Sequence, residues 1–230
     1  MLALAEKNLV EPVKLLTREA YGPIAQVFKE LNIADGDNET KKLRSAVQSY
    51  RRSTRSSLWS AALRRSNAET HPLVERVVEA RGKAFETCIE KLLDKTGIAY
   101  ERKDDGKTPG AADLHIGLNH KVQVVLEMKT AEGDGMIGLN EATDVIKGAA
   151  IIDLGYLPKV TLANPGFDPN VPWQARKVKD VAFVEAAQFV FALAMLSTRE
   201  IDKDTFLDWL AQPGTASVTQ LKGGRAPLDH

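Results

Sequence analysis

The chain has 230 residues, with 31 basic and 31 acidic side chains, four histidines and one cysteine. This length is sufficient for a sizeable core, and the absence of an apolar run of transmembrane length excludes a membrane-spanning protein. The single cysteine, Cys88, excludes an intrachain disulfide, and no cysteine or histidine cluster has the spacing of a zinc site. Because the N-terminus becomes charged almost at once, we expect no signal peptide and a cytoplasmic location.

Residues 1–70 are predicted to form a helical N-terminal region. The stretch "LVEPVKLLTREAYGPIAQVFKELNI" has apolar residues at helical spacing, and a turn-rich break separates it from residues 41–65. That second stretch, also predicted to be helical, holds eight lysines or arginines and no acidic residue. Such a run can follow a phosphate backbone, and the alternative is a solvated helix face.

From residue 71 the pattern changes to that of an α/β unit, which we place at residues 71–211, followed by a C-terminal tail at 212–230. Alternating and apolar runs predict strands at residues 97–103, 112–118, 121–129 and 157–164. Helices are predicted at residues 71–95, 138–153, 181–196 and 202–212. The helix at 181–196 is expected to be buried because it is apolar almost all round.

The strands at 112–118 and 121–129 predict a hairpin whose two faces differ in chemistry. With a three-residue loop at 119–121, Leu118 lies opposite Val122, and directly opposed residues share a face. Asp113 then lies opposite Glu127, and Lys129 follows on the same face. The other face is entirely apolar and consists of Leu114, Ile116, Leu118, Val122, Val124, Leu126 and Met128.

Two interpretations exist for this polar end of the sheet. Polar residues on a solvated face need no special partner, but the run 122–128 is unusually apolar for an exposed edge strand. Helices on both sides in the sequence also predict that both faces are partly covered. Two carboxylates close together in a covered site repel each other unless a cation joins them, and a divalent metal does so more completely than Lys129. Glu86 interrupts the apolar stripe of the preceding helix, which can bring it to the same site.

Three features together resemble the PD-(D/E)XK nuclease superfamily, which includes many restriction endonucleases. They are a helix with Glu86, Asp113 after "TPGAA", and the triplet Glu127-Met128-Lys129 at a strand end. The resemblance covers roughly residues 75–165. One departure is that Ala112, and not proline, precedes Asp113. The resemblance implies an α/β (α+β) fold with a restriction-endonuclease-like mixed β-sheet core flanked by helices.

The resemblance also implies Mg²⁺-dependent hydrolysis of phosphodiester bonds in double-stranded DNA. Asp113 and Glu127 would hold Mg²⁺, for which Mn²⁺ can substitute, and the backbone carbonyl of Met128 would add a ligand. Lys129 would orient or deprotonate the attacking water, or stabilise the phosphorane. Glu86 would bind a second metal, directly or through water.

Two segments are candidates for DNA contacts. In the basic stretch, Arg51, Arg52 and Arg55 are the best candidates for phosphate contacts. In the long loop at residues 165–180, the candidates are Trp173, Gln174, Arg176 and Lys177, of which Gln and Arg can recognise base edges. A packing role for Trp173 is an equal alternative. His115 shares the acidic face but lies farther along the strand, so we expect it to face DNA or to pack and not to act as a base.

These features favour a type II restriction endonuclease, which would cut both strands as a symmetric homodimer. The alternatives are a nonspecific, repair or mobile-element nuclease of the same fold, and a non-catalytic DNA-binding module. The intact set of Asp113, Glu127 and Lys129 argues against the last alternative.

Overall fold

The computed structural model describes residues 38–104, 106–133, 135–168, 171 and 178–221, and for residues 38–51 it describes the backbone alone. The chain divides into two compact units, Met1–Thr54 and Arg55–His230. Helix α1 spans Asn38–Arg65, which confirms the predicted helix over the basic stretch. The helix predicted before it lies outside the described residues. In the second unit, the last turns of α1 bury Leu58, Ala61 and Ala62 in the core.

Within the described part of the second unit, six strands form one mixed sheet in chain order. The first three strands pair antiparallel and the last four pair parallel, so β3 belongs to both halves. An α/β class with a mixed sheet is thereby confirmed. The strands are β1 Tyr100–Arg102, β2 Leu114–Ile116, β3 Val124–Thr130, β4 Lys159–Asn164, β5 Val181–Glu185 and β6 Gly214–Thr215.

Helices cover the sheet on both faces. The larger core lies on one face and contains residues of α1, α2, α3, α6 and α7, whereas the smaller core lies on the other face under α4 and α5. The bounds are α2 His71–Glu79, α3 Gly82–Thr96, α4 Leu139–Ala142, α5 Asp144–Ile151, α6 Ala186–Ser197 and α7 Lys203–Leu210. Because β3, β4 and β5 are covered on both faces, nearly every residue in them is buried.

The predicted hairpin register is confirmed. Leu114 pairs with Leu126 and Ile116 with Val124, and the continuation of this register places Asp113 opposite Glu127. The strands are shorter than predicted, because Gly117 has φ +83° and ends β2, so that seven residues connect the strands. A side chain there would lie 2.7 Å from the carbonyl oxygen of Val122.

The predicted helix at 71–95 is divided into α2 and α3. Ala80 and Arg81 adopt extended conformations between the two helices. The break is held at the carboxyl end of β3, since Arg81 Nε donates to the carbonyl of Ala131 at 2.8 Å and the Gly82 amide donates to Thr130 Oγ1 at 2.9 Å. The start of α3 is therefore held beside the end of β3, the strand that carries Glu127 and Lys129.

The prediction of one buried helix at 181–196 was wrong in its first part. Residues Val181–Glu185 form β5, and α6 begins at Ala186. A continuous apolar run does not distinguish a buried helix from a central parallel strand, because both are covered on all sides. The predicted helix at 138–153 is similarly divided at Thr143 into α4 and α5.

The stretch after residue 211 was expected to be a loose tail, but its described part packs on the core. After β6, a 3₁₀ helix spans Val218–Gln220, and Ala216, Val218 and Leu221 are buried. The indole N–H of Trp209 donates to the carbonyl of Ser217 at 3.0 Å. These apolar residues are too few and too irregularly spaced to have shown a periodic pattern in the sequence.

Gly148 in α5 allows the helix to lie against the segment that leads into Asp113. A Cβ atom on Gly148 would lie 2.9 Å from the Ala112 amide nitrogen and 3.1 Å from the Gly110 carbonyl oxygen. Glycine is normally unfavourable inside a helix, so here close backbone contact outweighs helix propensity.

We predict that Gly148→Ala lowers the free energy of unfolding by about 1–3 kcal/mol, because the added methyl group collides with backbone that cannot shift independently. Gly155→Ala is the matched control, since its nearest neighbour would be at an ordinary 3.6 Å. We expect the control to change stability by less than about 0.5 kcal/mol in urea denaturation. A stabilising Gly148→Ala change would show that α5 does not pack this closely.

Candidate active site

Asp113 lies at the point where β2 and β3 separate. Its backbone carbonyl accepts from the Lys103 amide at 2.8 Å and so continues the pairing with the β1 side. Its carboxylate Oδ2 instead accepts from the Met128 amide at 2.5 Å. The side chain thus replaces a strand carbonyl at the end of the β2–β3 ladder, and this fixes the buried carboxylate between the strands.

Glu127 and Lys129 project from β3 toward the smaller core. Lys129 Nζ lies 2.9 Å from Glu127 Oε1 and 3.4 Å from Asp144 Oδ2. Asp144 is the first residue of α5, which belongs to the crossover from β3 to β4. The ammonium of Lys129 therefore lies between two carboxylates supplied by different elements.

The electrostatics of this cluster are dominated by burial and excess negative charge. Burial raises the pKa of Asp113 to about 7, and the charge of Glu127 adds to this effect against the opposing hydrogen bond from Met128. Burial also raises the pKa of Glu127, although Lys129 opposes it. Burial alone would lower the pKa of Lys129, but Glu127 and Asp144 outweigh burial and raise it. Within the described residues, Asp113 forms no ion pair.

Glu86 of α3 is held by two cations. Its Oε2 lies 3.0 Å from Lys83 Nζ and 2.8 Å from Arg102 Nη2. Burial tends to raise the pKa of Glu86, but the hydrogen bonds from Arg102 and Lys83 outweigh burial and lower it. The charge of Glu86 adds to the raised pKa of Asp113, so the side chain acts on the site electrostatically from the α3 side.

His115 is buried one position along the acidic face. Its Nε2 lies 2.8 Å from Gln123 Oε1, in a pair that closes the turn end of the hairpin. This environment fits the packing role considered from the sequence.

The donor set of the cluster fits a hard divalent cation. Two carboxylates, of Asp113 and Glu127, and the Met128 carbonyl supply oxygen donors, and Mg²⁺ is commonly bound through one or two carboxylates, with water and substrate phosphate completing its shell. In residues 38–221, as far as they are described, no group of three or more histidine, cysteine, aspartate or glutamate side chains is arranged to hold a metal. A metal held by this carboxylate pair would take its remaining ligands from water and substrate.

Two members of the basic stretch contact acidic side chains of the α/β unit. The Arg55 side chain is 12 % exposed, lies 3.9 Å from Glu185 Oε1 and donates to the Pro165 carbonyl at 3.5 Å. Arg65 pairs with Glu200 at 2.8 Å. For Arg55 this is the environment of an internal ion pair, whereas the sequence suggested a phosphate contact.

The remaining DNA-contact candidates are placed as follows. Arg52 of α1 is exposed. The side chain of Arg51 lies outside the described residues, as do Trp173, Gln174, Arg176 and Lys177.

Asp144, Asp104 and Arg102 belong to the site but were not identified from the sequence. Asp104 adds to the raised pKa of both Asp113 and Glu127, and Arg102 pairs with Glu86 as well as with Glu90. The position of Asp144 could have been predicted from topology, because a helix that follows β3 in a crossover starts near the carboxyl end of that strand. No comparable signal existed for Arg102, which lies on a three-residue edge strand.

Comparisons of the chain with protein-family models, with curated proteins and with solved structures find no match. None of the helices in the described ranges is long and apolar enough to cross a membrane.

We predict that Asp113→Asn stabilises the metal-free protein at pH 8 by on the order of 4 kcal/mol. The folded-state pKa of about 7 exceeds the ordinary value of 3.8, so wild-type stability falls as pH rises between these two values. Asparagine removes this loss and retains an acceptor for the Met128 amide. Urea denaturation in EDTA at pH 5 to 8 measures the difference, which should shrink toward the acidic end.

Asp208→Asn is the control for this measurement. Asp208 is exposed on α7, and its substitution removes the same negative charge. Its effect should be below about 0.5 kcal/mol at every pH. Equal effects of the two substitutions would mean that Asp113 carries no special electrostatic cost.

Proposed function

We propose that this protein is a Mg²⁺-dependent endonuclease that hydrolyses phosphodiester bonds in double-stranded DNA, most concretely a type II restriction endonuclease. The observation that carries the proposal is the buried Asp113 carboxylate, which lies beside Glu127 and has no cation of its own among the described residues. Two carboxylates close together in a largely buried site are costly unless a cation binds between them, and the Lys129 ammonium pairs instead with Glu127 and Asp144.

In this proposal, Asp113 and Glu127 hold Mg²⁺, or Mn²⁺ in its place, and the Met128 carbonyl adds an oxygen. When bound, the metal would polarise the phosphoryl oxygen and lower the pKa of a coordinated water. The Met128 amide orients Asp113 through its 2.5 Å hydrogen bond. Glu86 contributes negative charge from α3, and its two cationic partners support a positioning role more than direct ligation.

Lys129 is assigned to orienting the attacking water and stabilising the charge that develops on the phosphoryl group. Glu127 at 2.9 Å and Asp144 at 3.4 Å favour the charged form of Lys129. A charged ammonium suits these two roles better than deprotonation of the attacking water, the third role considered from the sequence. Asp144 positions the ammonium from the start of α5.

Double-strand cleavage requires two such sites, for which a symmetric homodimer is the simplest arrangement. The related alternatives are nonspecific, repair or mobile-element nucleases, and the contrasting alternative is a DNA-binding module without catalysis. Digestion of supercoiled and phage DNA separates them. Discrete fragments indicate sequence specificity, a smear indicates nonspecific cutting, and binding without Mg²⁺-dependent cutting indicates the non-catalytic module.

We predict that Asp113→Asn and Glu127→Gln each reduce Mg²⁺-dependent cleavage at least about hundredfold, because each removes a charge that stabilises the transition state through the metal site. Plasmid nicking and linearisation, timed in Mg²⁺ and in EDTA, measure this loss. Asp208→Asn should cut like wild type. Wild-type cleavage by either site variant would exclude the proposed ligand pair.

We predict that Lys129→Met is inactive but retains Mg²⁺ binding, since the ammonium acts on water and phosphate while the carboxylates hold the ion. Calorimetric titration with Mg²⁺ compares this variant with Asp113→Asn, and Lys121→Met on the exposed β2–β3 turn serves as control. If Lys129→Met lost Mg²⁺ binding as completely as Asp113→Asn, a role for Lys129 separate from the metal would be ruled out.

A further inference from the structure

A surface groove of about 280 Å³ lies between α2 and α3. Its apolar lining includes Leu73 of α2 and Ala84 of α3, and the thiol of buried Cys88 lies at its base. None of these residues belongs to the candidate active site. We refer to this feature as the α2–α3 groove.

Three cations line the α2–α3 groove, and no acidic residue does. They are Arg76 from α2 and Lys83 and Lys91 from α3, and all three are exposed. Lys83 contacts Glu86, whereas Arg76 and Lys91 form no ion pair with any described residue. Burial raises the pKa of the Cys88 thiol, and Arg76 and Lys91 both oppose this shift, so the two cations converge on the same point.

The spacing of the α3 cations suits a repeating polyanion. Lys83 and Lys91 are eight residues apart on one helix face, which corresponds to about 12 Å along the axis. One strand of duplex DNA carries a phosphate about every 3.4 Å of helix axis, so the distance between the two lysines corresponds to roughly three to four phosphate spacings. Arg76 faces them across the groove, and the apolar lining between them suits the sugar part of a backbone.

The end of the groove that carries Lys83 lies near the carboxyl end of β3. The Gly82 amide, next to Lys83, donates to Thr130 Oγ1 at 2.9 Å, and Thr130 directly follows Lys129. Lys83 also lies 3.0 Å from Glu86, whose charge acts on Asp113. A strand that left the acidic cluster along α3 would therefore meet the cations in the order Lys83, then Lys91.

We propose that the α2–α3 groove binds the sugar–phosphate backbone of the DNA substrate next to the cleavage site. This inference rests on the proposed function, and it assigns to α2 and α3 the phosphate contacts that the sequence placed in the N-terminal basic stretch. Arg55 and Arg65 of that stretch contact acidic side chains of the α/β unit, whereas Arg76 and Lys91 are available to a ligand.

The test is DNA binding by the double variant Arg76→Gln and Lys91→Gln. Both side chains are exposed and unpaired within the described structure, so the fold should be retained, which circular dichroism and urea denaturation verify. Binding of a labelled random-sequence duplex is measured by fluorescence anisotropy at several salt concentrations, with Ca²⁺ in place of Mg²⁺ to block cutting.

Two lost phosphate contacts should weaken binding at least about tenfold at low salt. The slope of log affinity against log salt should become shallower by about two. The control, Lys121→Gln with Arg199→Gln, removes the same charge at exposed positions outside the groove and should keep the wild-type affinity and slope. Arg76→Lys with Lys91→Arg, which preserves the charge, should restore most of the binding.

The outcomes separate this inference from the nuclease proposal. If wild type binds and cuts DNA but the groove variant keeps its affinity and slope, the groove assignment is wrong and the nuclease proposal stands. Equal losses in the groove and control variants would also overturn the groove assignment, because general surface charge would explain them. If wild type binds DNA through the groove but never cuts, the groove stands and the nuclease proposal falls. Absence of any DNA binding by wild type overturns both.

Discussion

The hydrogen bond from the Met128 amide to the Asp113 carboxylate determines the arrangement of the candidate active site. It forms where β2 and β3 separate, so the carboxylate satisfies a backbone donor that would otherwise lack a strand partner. The same bond keeps Asp113 buried beside Glu127 and prevents it from turning toward solvent. One backbone amide thus holds the Asp113 carboxyl beside Glu127, where burial and the charge of Glu127 together raise the pKa of Asp113.

The elements around this bond converge on one edge of the sheet. The break between α2 and α3 is tied to the end of β3 through Thr130 and to the end of β4 through Asn164, whose buried amide donates to the carbonyls of Val77 and Ala80 at 3.0 Å each. On the opposite face, α5 begins at Asp144 beside Lys129. Both helical layers therefore deliver charged side chains to the carboxyl end of β3, where residues from several elements meet.

Much of this edge could be predicted from the sequence because it depends on strand alternation. Opposed residues on a hairpin share a face, so a single choice of loop placed Leu114 against Leu126 and Asp113 against Glu127. The extent of the strands was less predictable, since Gly117 ends β2 through its backbone conformation. The strand β5 could not be distinguished from the start of a buried helix, because a run of apolar residues has no period when both faces are covered.

Contacts between elements distant in sequence were the least predictable. Nothing local indicated that Arg55 lies near Glu185, 130 positions later, or that Arg102 pairs with Glu86. The basic stretch looked uniform in the sequence, yet its described cations divide between the exposed Arg52 and Arg64 and the partly buried Arg55 and Arg65. Conversely, the sequence did not predict a role for the cations of the α2–α3 groove, because they are distributed over two helices and do not form a continuous run.

The most direct test of the metal site is anomalous diffraction from crystals of the protein soaked with Mn²⁺, which can occupy a Mg²⁺ site. Coordination by the proposed ligands predicts a strong anomalous peak in direct contact with carboxylate oxygens of both Asp113 and Glu127, with Lys129 beside it. A peak at neither carboxylate, with the Lys129 ammonium still bound between Glu127 and Asp144, would contradict a metal-dependent active site at this position.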